Sequence, residues 1–515
     1  MNATRRQLLW AGGALGTTAL LGACGGDQQS AAGPHGSEKP RKGGTLRVGA
    51  LGRASAVTRD PHGVQANESD YLIIALCYET LTTPGEKTTT VPRLAARWTS
   101  SADLTRWRFT LADGAAFHDG SPVTAADLVW SLRRLRGTPS GASRLPGISA
   151  QHIRPYGPRG VELVSDYPNA ELPQLLRLST FVLKHGTPER AIHRSPGTGP
   201  FKLDWFRGGN ARLVRNDAWY GGEVLLDAIE VRLFESPQAM SSALLAGQLD
   251  LASNVGAVAA RTAERRRDVQ VVRRRNDMAL PIVMRAADGP FADVRVRTAL
   301  RLAVDREAMV KQALSGYGTV GNDVLGTGDP AYDRSLPQRV RDLGRAEKLL
   351  TAARFDRSAT YDLVTTEDVP ALAESATLFA HQVREAGVKV KVVRRESAAF
   401  YDETWLKGDL YTTYWGTNDS VVFFASKTLA SDAAQNEAGW HDPAFDAAYR
   451  KAMRTADVKQ RTMLLRGLQR IQYERSGYLL WGVADGIDLA AAPVRGLPHL
   501  PGYSRVQLAG AWLAR

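Results

Sequence analysis

Short runs of β-branched and aromatic residues recur along the chain and predict β-strands. These runs cover residues 45–48, 107–111, 203–206, 228–234 and 388–393. Between them the apolar positions recur with the period of a helix, so strands and helices alternate along the chain. This alternation predicts an α/β protein with more than one lobe.

Two segments show the helical period clearly. One begins directly after Asp293, and aspartate is a residue type that caps helices. Its apolar positions are Val296, Ala299, Leu300, Ala303 and Val304. The other follows Pro370, ends at Gly387, and has on one face Leu372, Ala376, Phe379, Ala380 and Val383. A strand follows that glycine at once, which is the order of an α/β unit. Lobes of this kind bind ligands in the crevice between them, and we expect the functional site there.

A further apolar run lies near the start of the chain, from Leu8 to Ala23. It follows positively charged residues and ends in small residues before Cys24, which is the pattern of a lipoprotein export signal. A membrane-spanning helix is the alternative, but such a helix needs about 20 predominantly apolar residues, and this run is short and rich in glycine and threonine. The thiol of Cys24 is therefore predicted to carry lipid, which holds the mature protein at the outer face of a bacterial membrane.

The basic pair Arg5–Arg6 resembles the twin-arginine export motif. Residues 1–24 are assigned to the signal. Residues 25–42 contain almost no apolar side chain, which is the composition of a disordered tether.

Composition narrows the possible classes of protein. With 515 residues and 43% hydrophobic content, the exported part can build two or three domains with substantial cores. Only Cys24 and Cys77 are present, so lipidation of the first excludes a disulfide. The formal net charge is +13, and arginine runs at 265–267 and 273–275 flank a short strand-like stretch at 268–272. We interpret these runs as solvated strand ends and expect no nucleic-acid partner, because the export signal removes the protein from cellular nucleic acid.

Sequence motifs of enzymes are scarce. The segment 316–321 matches the glycine pattern of a dinucleotide site, but it follows a predicted helix at 297–314 instead of linking a strand to a helix. His118–Asp119–Gly120 is better explained as a turn that leads to a helix beginning near Thr124. We therefore predict no cofactor, no metal site and no catalytic residues.

An aromatic segment has two interpretations that the residues alone leave open. Tyr411, Tyr414 and Trp415 precede Asp419, and Phe423 and Phe424 follow it. Flat rings beside a carboxylate suit an amphipathic ligand that carries an amine. The same residues equally fit a core strand that enters a capped turn.

Several motifs in order along the chain resemble the family 5 extracellular solute-binding proteins, the oligopeptide, dipeptide and nickel receptors of ATP-driven importers. The resemblance extends from Gly43 to Gly496. The matching stretches are 43–48, 60–62, 78–81, 94–98, 117–132, 197–201, 215–216, 219–220, 246–250, 291–297 and 303–307.

The resemblance implies a type II periplasmic-binding-protein-like α/β fold, a clamp of two lobes joined by crossing strands. A third domain is inserted in the first lobe. By analogy, lobe I covers 43–69, 197–285 and 485–515, the inserted domain covers 70–196, and lobe II covers 286–484.

The resemblance also implies ligand-binding residues. The segment after Asp60–Pro61–His62 lends backbone hydrogen bonds to an extended ligand, which maps to Gln65, Ala66 and Asn67. Tyr414 and Trp415, from the aromatic segment described above, are candidates for contacts with such a ligand. An aspartate three residues after the tryptophan holds the ligand's amino terminus in the family, but this chain has Asn418 there and Asp419 one residue later. Either Asp419 substitutes, or the ligand lacks a free α-amino group. Arg394, beside Arg395, is a candidate for a ligand carboxylate.

The leading hypothesis is a monomeric lipid-anchored receptor that closes two lobes over an oligopeptide and presents it, chemically unchanged, to a membrane permease driven by ATPase subunits. Modified peptides, metal chelates and sugars remain open as ligands. Two alternatives are a lipid-anchored exported hydrolase and a sensor lipoprotein that uses the same clamp.

Overall fold

The computed structural model describes residues 39–63, 67–85, 89–367, 369–417, 419–502 and 506–514. Residues from Pro40 onward belong to one compact unit. Several predicted features lie outside the described residues: the export signal with Arg5, Arg6 and Cys24, the tether up to residue 38, Gln65, Ala66 and Asn418.

The strands are short except for two, which have 16 and 14 residues. In chain order the strands are β1 (Thr45–Leu51), β2 (Thr82–Pro84), β3 (Thr90–Pro92), β4 (Ala95–Ser100), β5 (Arg106–Leu111), β6 (Ile153–Pro155), β7 (Gly160–Val164), β8 (Phe201–Arg207), β9 (Asn210–Arg215), β10 (Ala228–Phe234), β11 (Leu251–Ala252), β12 (Val269–Met284), β13 (Gly318–Val320), β14 (Thr360–Thr365), β15 (Lys389–Arg394), β16 (Leu410–Thr412), β17 (Trp415–Gly416), β18 (Tyr478–Ala491), β19 (Val494–Arg495) and β20 (Trp512–Leu513).

Helices fill most connections between the strands. They are α1 (Glu68–Cys77), α2 (Ala125–Arg136), α3 (Pro139–Arg144), α4 (Leu172–Leu175), α5 (Pro237–Leu245), α6 (Gly256–Ala263), α7 (Val294–Ala303), α8 (Arg306–Ala313), α9 (Leu343–Ala352), α10 (Leu372–Arg384), α11 (Ser397–Glu403), α12 (Val421–Phe424), α13 (Pro443–Met453) and α14 (Val458–Arg475). Short 3₁₀ segments occur at Ala54–Ala56, Ala150–His152 and Glu189–Arg194, and a π-helix at Ala425–Leu429.

One mixed sheet runs through the middle of the protein. Its strand order is β15-β14-β16-β12-β18-β11-β1-β10-β9-β8, with β13 beside β18 and β17 beside β12. Strand β1 is parallel to β10 and β11, and β14 is parallel to β15 and β16. The long antiparallel pair β12 and β18 stands at the centre, so it joins the two halves of the sheet.

Each half of the sheet has its own apolar core. Leu46, Val48 and Ile229 belong to a buried cluster on the half that contains β1, and Leu363 and Phe379 belong to a cluster on the half that contains β14. A four-stranded antiparallel sheet, β4-β5-β7-β6, packs with α2 in a further core within the segment predicted as the inserted domain. Separate cores are expected of lobes that move as units. The boundaries given to these domains stay predictions.

The pattern of apolar residues predicted the positions of five strands and of two helices correctly. Each of the five predicted strands is confirmed, and 228–234 coincides with β10. Helix α7 begins where the Asp293 carboxylate accepts a hydrogen bond from the backbone N–H of Arg295 at 2.7 Å. Helix α10 ends before Gly387, as the sequence indicated.

The single helix predicted at 297–314 is wrong. The backbone is extended at Val304 and Asp305, and a new helix, α8, begins at Arg306. The reason is that the Asp305 carboxylate accepts the backbone N–H of Ala308 at 2.9 Å, which caps a second helix instead of continuing the first.

The Asp119–Gly120 turn is confirmed. Asp119 accepts the backbone N–H of Ser121 at 3.0 Å, and Gly120 has a φ of +84°, which favours glycine. Helix α2 follows at once, and the Thr124 backbone N–H donates to the Asp127 carboxylate at 2.8 Å in a capping box.

The Gly197–Thr198–Gly199 stretch has a structural role. The backbone N–H of Gly199 donates to the carbonyl of Cys77 at 2.8 Å, where helix α1 ends. A Cβ atom on Gly197 would lie 1.9 Å from that same carbonyl oxygen, so no larger residue fits without moving the backbone. This motif therefore locks helix α1 to the start of β8. Cys77 itself is a buried free cysteine.

Candidate functional site

The two halves of the large sheet meet at the ribbon formed by β12 and β18. The pairing register of these strands shifts between Arg274 and Met278, where an irregularity interrupts the ladder. Asn276 lies in this irregularity and has a φ of +54°, which is uncommon for a residue other than glycine. The ribbon therefore carries a local bend at the crossing between the lobes.

A cavity adjoins this crossing, with walls from both halves of the sheet. It is lined by residues near the start of α6, by residues around Leu314 and Pro370, and by residues of the crossing strands. Its volume is about 30 Å³, which is room for about one water molecule. A peptide can therefore enter only if the halves separate. The lining residues are Asn254, Gly256, Ala257, Asp277, Met278, Ala313, Leu314, Tyr317, Val369, Pro370, Ala371, Ala484 and Asp485.

A buried charge cluster holds the bend in place. Arg274 has no exposed surface, and its guanidinium donates to Asp488 at 2.9 Å and lies 3.5 Å from Asp277. Gly486 is opposite Arg274 in the ladder, and a Cβ there would lie 2.7 Å from the guanidinium. The interpretation of both arginine runs as solvated strand ends is thus wrong for Arg274. The sequence pattern could not show that Arg274 is buried, because its partner Asp488 lies on a distant strand and Asp277 lies beyond the bend.

The aromatic segment divides between core and surface. Tyr411 is fully buried in β16 and donates from its hydroxyl to the carbonyl of Glu437 at 2.8 Å. Phe423 and Phe424 are buried as well, and they belong to helix α12, which Ser420 caps. For these three rings the core interpretation is correct. Tyr414 and Trp415, the predicted ligand contacts, are only partly buried.

Glu437 organises the region beneath Trp415, and sequence reasoning missed it. Its carboxylate accepts hydrogen bonds from Trp405 at 2.8 Å, Tyr478 at 2.7 Å, and Thr413 and Trp415 at 3.1 Å. Burial raises the pKa of Glu437, although these donors favour the ionised form. The indole of Trp415 is thus fixed in orientation by a buried carboxyl group from a distant segment.

Asp419 is paired inside the protein. Its carboxylate lies 3.0 Å from the guanidinium of Arg144, at the end of α3, and both side chains are less than 9% exposed. The Arg144 guanidinium also lies over the Phe423 ring, 4.1 Å from its centroid. Sequence reasoning missed Arg144, because nothing local marks an arginine as the partner of a carboxylate 275 residues away.

Lys427 adds a second cation to this region. The π-helix at Ala425–Leu429 places its ammonium group over two rings, 5.2 Å from the centroid of Trp415 and 5.0 Å from that of Phe423. Burial and the nearby Arg144 together lower the pKa of Lys427 to about 8, although Asp419 and Glu437 act in the opposite direction. Aromatic faces that could receive a ligand cation therefore already hold a cation of the protein.

The other predicted ligand-binding residues that the structure describes are Asn67 and Arg394. Asn67 is buried, and its side chain holds the backbone of Arg53, accepting its N–H at 2.9 Å and donating to its carbonyl at 3.0 Å. Arg394 is 63% exposed and lies 2.9 Å from Glu367. The Arg53 guanidinium is 3.4 Å from Glu396, so the structure brings the Asn67 segment close to the Arg394 segment.

Further contacts connect the predicted inserted domain with the predicted lobe II. Arg461 donates to Glu171 at 2.6 Å, and Gln174 donates to Asp329 at 3.3 Å. Leu175 belongs to the same buried cluster as Phe445. Within the described residues, no group of histidine, cysteine, aspartate and glutamate side chains is placed to hold a metal ion. In the same part of the chain, no helix has the length and apolarity to span a membrane.

Comparison with known proteins gives a consistent result. Residues 89–437 match the model of the bacterial extracellular solute-binding proteins, family 5 Middle. The chain is 28% identical over 411 residues to Protein XP55 of Streptomyces lividans, across 75% of each chain. It is 22% identical over 452 residues to the probable di/tripeptide-binding protein 5 of Pseudomonas aeruginosa, across 80% of this chain and 85% of that one.

The fold is similar to that of a solved structure. The periplasmic binding protein DppA of Helicobacter pylori, in complex with the peptide STSA, matches with a TM-score of 0.80 at 20% identity, across 92% of this chain and 99% of that one. The fold and the cavity at its crossing strands define a two-lobed α/β clamp, as predicted. The chain belongs to the bacterial extracellular solute-binding proteins of family 5, and its role is to bind a substrate.

Proposed function

We propose that this protein is the lipid-anchored receptor of an ABC importer, that it captures a short peptide or peptide-like solute between its two lobes, and that it delivers the solute unchanged to a permease. The observation that carries this proposal is the cavity at the β12–β18 crossing. Its walls come from both halves of the sheet, so a ligand admitted when the halves separate would touch both lobes and favour the state in which they close on it.

The peptide class rests on what the relatives are described as binding. One relative is described as a probable di/tripeptide-binding protein, and the DppA structure contains the peptide STSA. The proposed ligand-binding residues remain Gln65, Ala66, Asn67, Tyr414, Trp415, Asn418, Asp419 and Arg394. Arg144 already neutralises Asp419, and Lys427 occupies the neighbouring ring faces. A ligand ammonium would have to compete with two cations, which favours a peptide whose amino terminus is blocked or held elsewhere.

Calorimetry with paired ligands tests the proposal. Mass spectrometry of the solute that co-purifies with the protein identifies a starting peptide. We expect that peptide to bind with a dissociation constant in the micromolar range or tighter, and we expect its N-acetylated form to bind at least equally well. Small-angle scattering should show a smaller radius of gyration for the liganded protein than for the free protein.

Three results would contradict the proposal. A radius of gyration that does not change on ligand binding would exclude closure. Recovery of a cleaved ligand would favour the hydrolase. Unchanged peptide uptake in a strain that lacks the gene would favour the sensor.

The anchor has its own test. We expect Cys24→Ser to abolish incorporation of labelled palmitate and to release the mature protein from the membrane fraction, because the thiol is the only proposed attachment point. Cys77→Ser is the matched control, since Cys77 is buried and free, and this variant should keep the label. Lipid incorporation that persists in Cys24→Ser would remove Cys24 from this role.

A further inference from the structure

A second cavity, of about 420 Å³, is lined by residues of helix α1, of strand β8 and of the segments at 118–119 and 193–197. It shares no lining residue with the cavity at the crossing strands. Its volume is within the range of about 300–1,000 Å³ that is usual for small-molecule sites. Part of its lining is apolar, namely Ile73 and Ile74 of α1 and Leu203 of β8, and this part is called the floor.

Three cationic residues also line this cavity, Arg59, Arg194 and Lys202, and they are called its rim. Among the described residues, neither arginine has a carboxylate within ion-pair distance. The Arg59 guanidinium lies over the Phe206 ring, 4.6 Å from its centroid. Burial lowers the pKa of Arg59, and repulsion from Arg194 lowers it further, so like charges face the same space.

The carboxylates in this region are already engaged. Arg134 binds both Asp60, at 2.7 Å, and Glu189, at 2.8 Å. Asp119 also lines the cavity, but the Lys184 ammonium lies 2.5 Å from it and holds the pKa of Asp119 down at about 2. The rim therefore keeps a positive charge that the nearby carboxylates do not cancel.

We propose that this cavity is a second ligand site that binds an amphipathic carboxylate, with the acyl chain on the floor of Ile73, Ile74 and Leu203 and the carboxylate between Arg59, Arg194 and Lys202. A bidentate contact with a guanidinium fits a carboxylate head group. The apolar floor rejects small hydrophilic anions, because burying an alkyl chain there supplies the driving force that they lack.

Sodium decanoate, used below its micellar concentration, is the probe. We expect saturable binding to the purified protein, and at least tenfold weaker binding to the double variant Arg59→Gln/Arg194→Gln. Arg190→Gln is the matched control, because Arg190 is exposed on the same 3₁₀ segment as Arg194 and does not line the cavity. Decanol should bind at least tenfold more weakly than decanoate, since it has the chain without the charge, and acetate should not bind.

His193 provides a readout that does not depend on the variants. It also lines the cavity, and burial together with the charges of Arg59 and Arg194 lowers its pKa. A carboxylate bound between the arginines would offset their charge, so His193 should titrate at a higher pH with decanoate than without it. NMR titration measures this change, and His193→Gln identifies the resonance.

Several outcomes would overturn the inference. They are equal decanoate affinity in the wild type and the double variant, equal affinity for decanol, an unchanged His193 titration, and displacement of decanoate by the peptide of the interlobe site. Binding to phosphatidylglycerol vesicles without binding of free decanoate would assign the cationic rim to lipid head groups instead. Apart from displacement by the peptide, none of these results bears on peptide capture at the crossing strands.

Discussion

Replacing Asp323 with alanine is expected to lower the free energy of unfolding by about 3–5 kcal/mol, as removal of one partner of a buried ion pair does. Asp323 has no exposed surface, and its carboxylate lies 2.8 Å from Arg306, 2.7 Å from Arg339 and 3.9 Å from Arg301. The substitution would leave buried guanidinium groups without the charge that neutralises them. Urea titration followed by tryptophan fluorescence measures the change.

The pH dependence of the same site gives an independent check. Burial alone would raise the pKa of Asp323, but Arg306, Arg301 and Arg339 outweigh it and hold the pKa below its ordinary value. The stabilisation is therefore complete above the unfolded-state pKa of about 3.9, and it is lost as the pH falls through the lower folded-state pKa.

Two outcomes would contradict this reasoning. One is an Asp323→Ala variant that unfolds at the wild-type urea concentration. The other is a variant that loses stability below about pH 3.9 as steeply as the wild type does. Asp113→Ala is the control, because Asp113 pairs with Arg159 while 97% exposed, and its loss should leave stability unchanged.

Replacing Arg274 with methionine is expected to have an effect of similar size, about 3–5 kcal/mol in the free energy of unfolding. Two buried carboxylates, Asp488 and Asp277, would lose the cation between them. Since the cluster lies at the bend of the crossing ribbon, we also expect weaker ligand binding, because its loss would alter the bend that joins the two lobes. Calorimetry at a temperature where the variant is folded separates the two effects.

The neighbouring residue, Arg275, provides a matched control for Arg274→Met. Arg275 is exposed and belongs to the same run, so Arg275→Met changes the same charge without disturbing the buried cluster. We expect its stability and ligand affinity to match the wild type. If Arg274→Met and Arg275→Met are equally stable, the buried cluster does not hold the ribbon.

The candidate site shows where prediction from sequence ends. Asp419 was found because a motif points to it, but its partner Arg144 was not, and the pair changes what Asp419 offers a ligand. Glu437 and Lys427 carry no local signature either, although they fix the Trp415 ring and cover its face. Each of these side chains acquires its role from a neighbour that only folding supplies.

The sequence by itself determined the secondary structure and the family. Strand and helix periods depend on neighbours two to four residues apart, so β10, α7 and α10 could be located from local pattern and capping residues. The ordered motifs indicated a two-lobed clamp through their resemblance to a family, and two of them have a clear local role, the Asp119–Gly120 turn and the contact of Gly199 with Cys77.

Only the tertiary structure decided which charges are buried and which surfaces face each other. Arg274 and Arg275 are adjacent and chemically identical, yet one is sealed between strands and the other is exposed to water. The difference arises from residues more than two hundred positions away, such as Gly486 and Asp488, which leave space and supply charge. The burial and the ion pairing of a charged side chain depend on the packed chain, and they determine which charges line each of the two cavities.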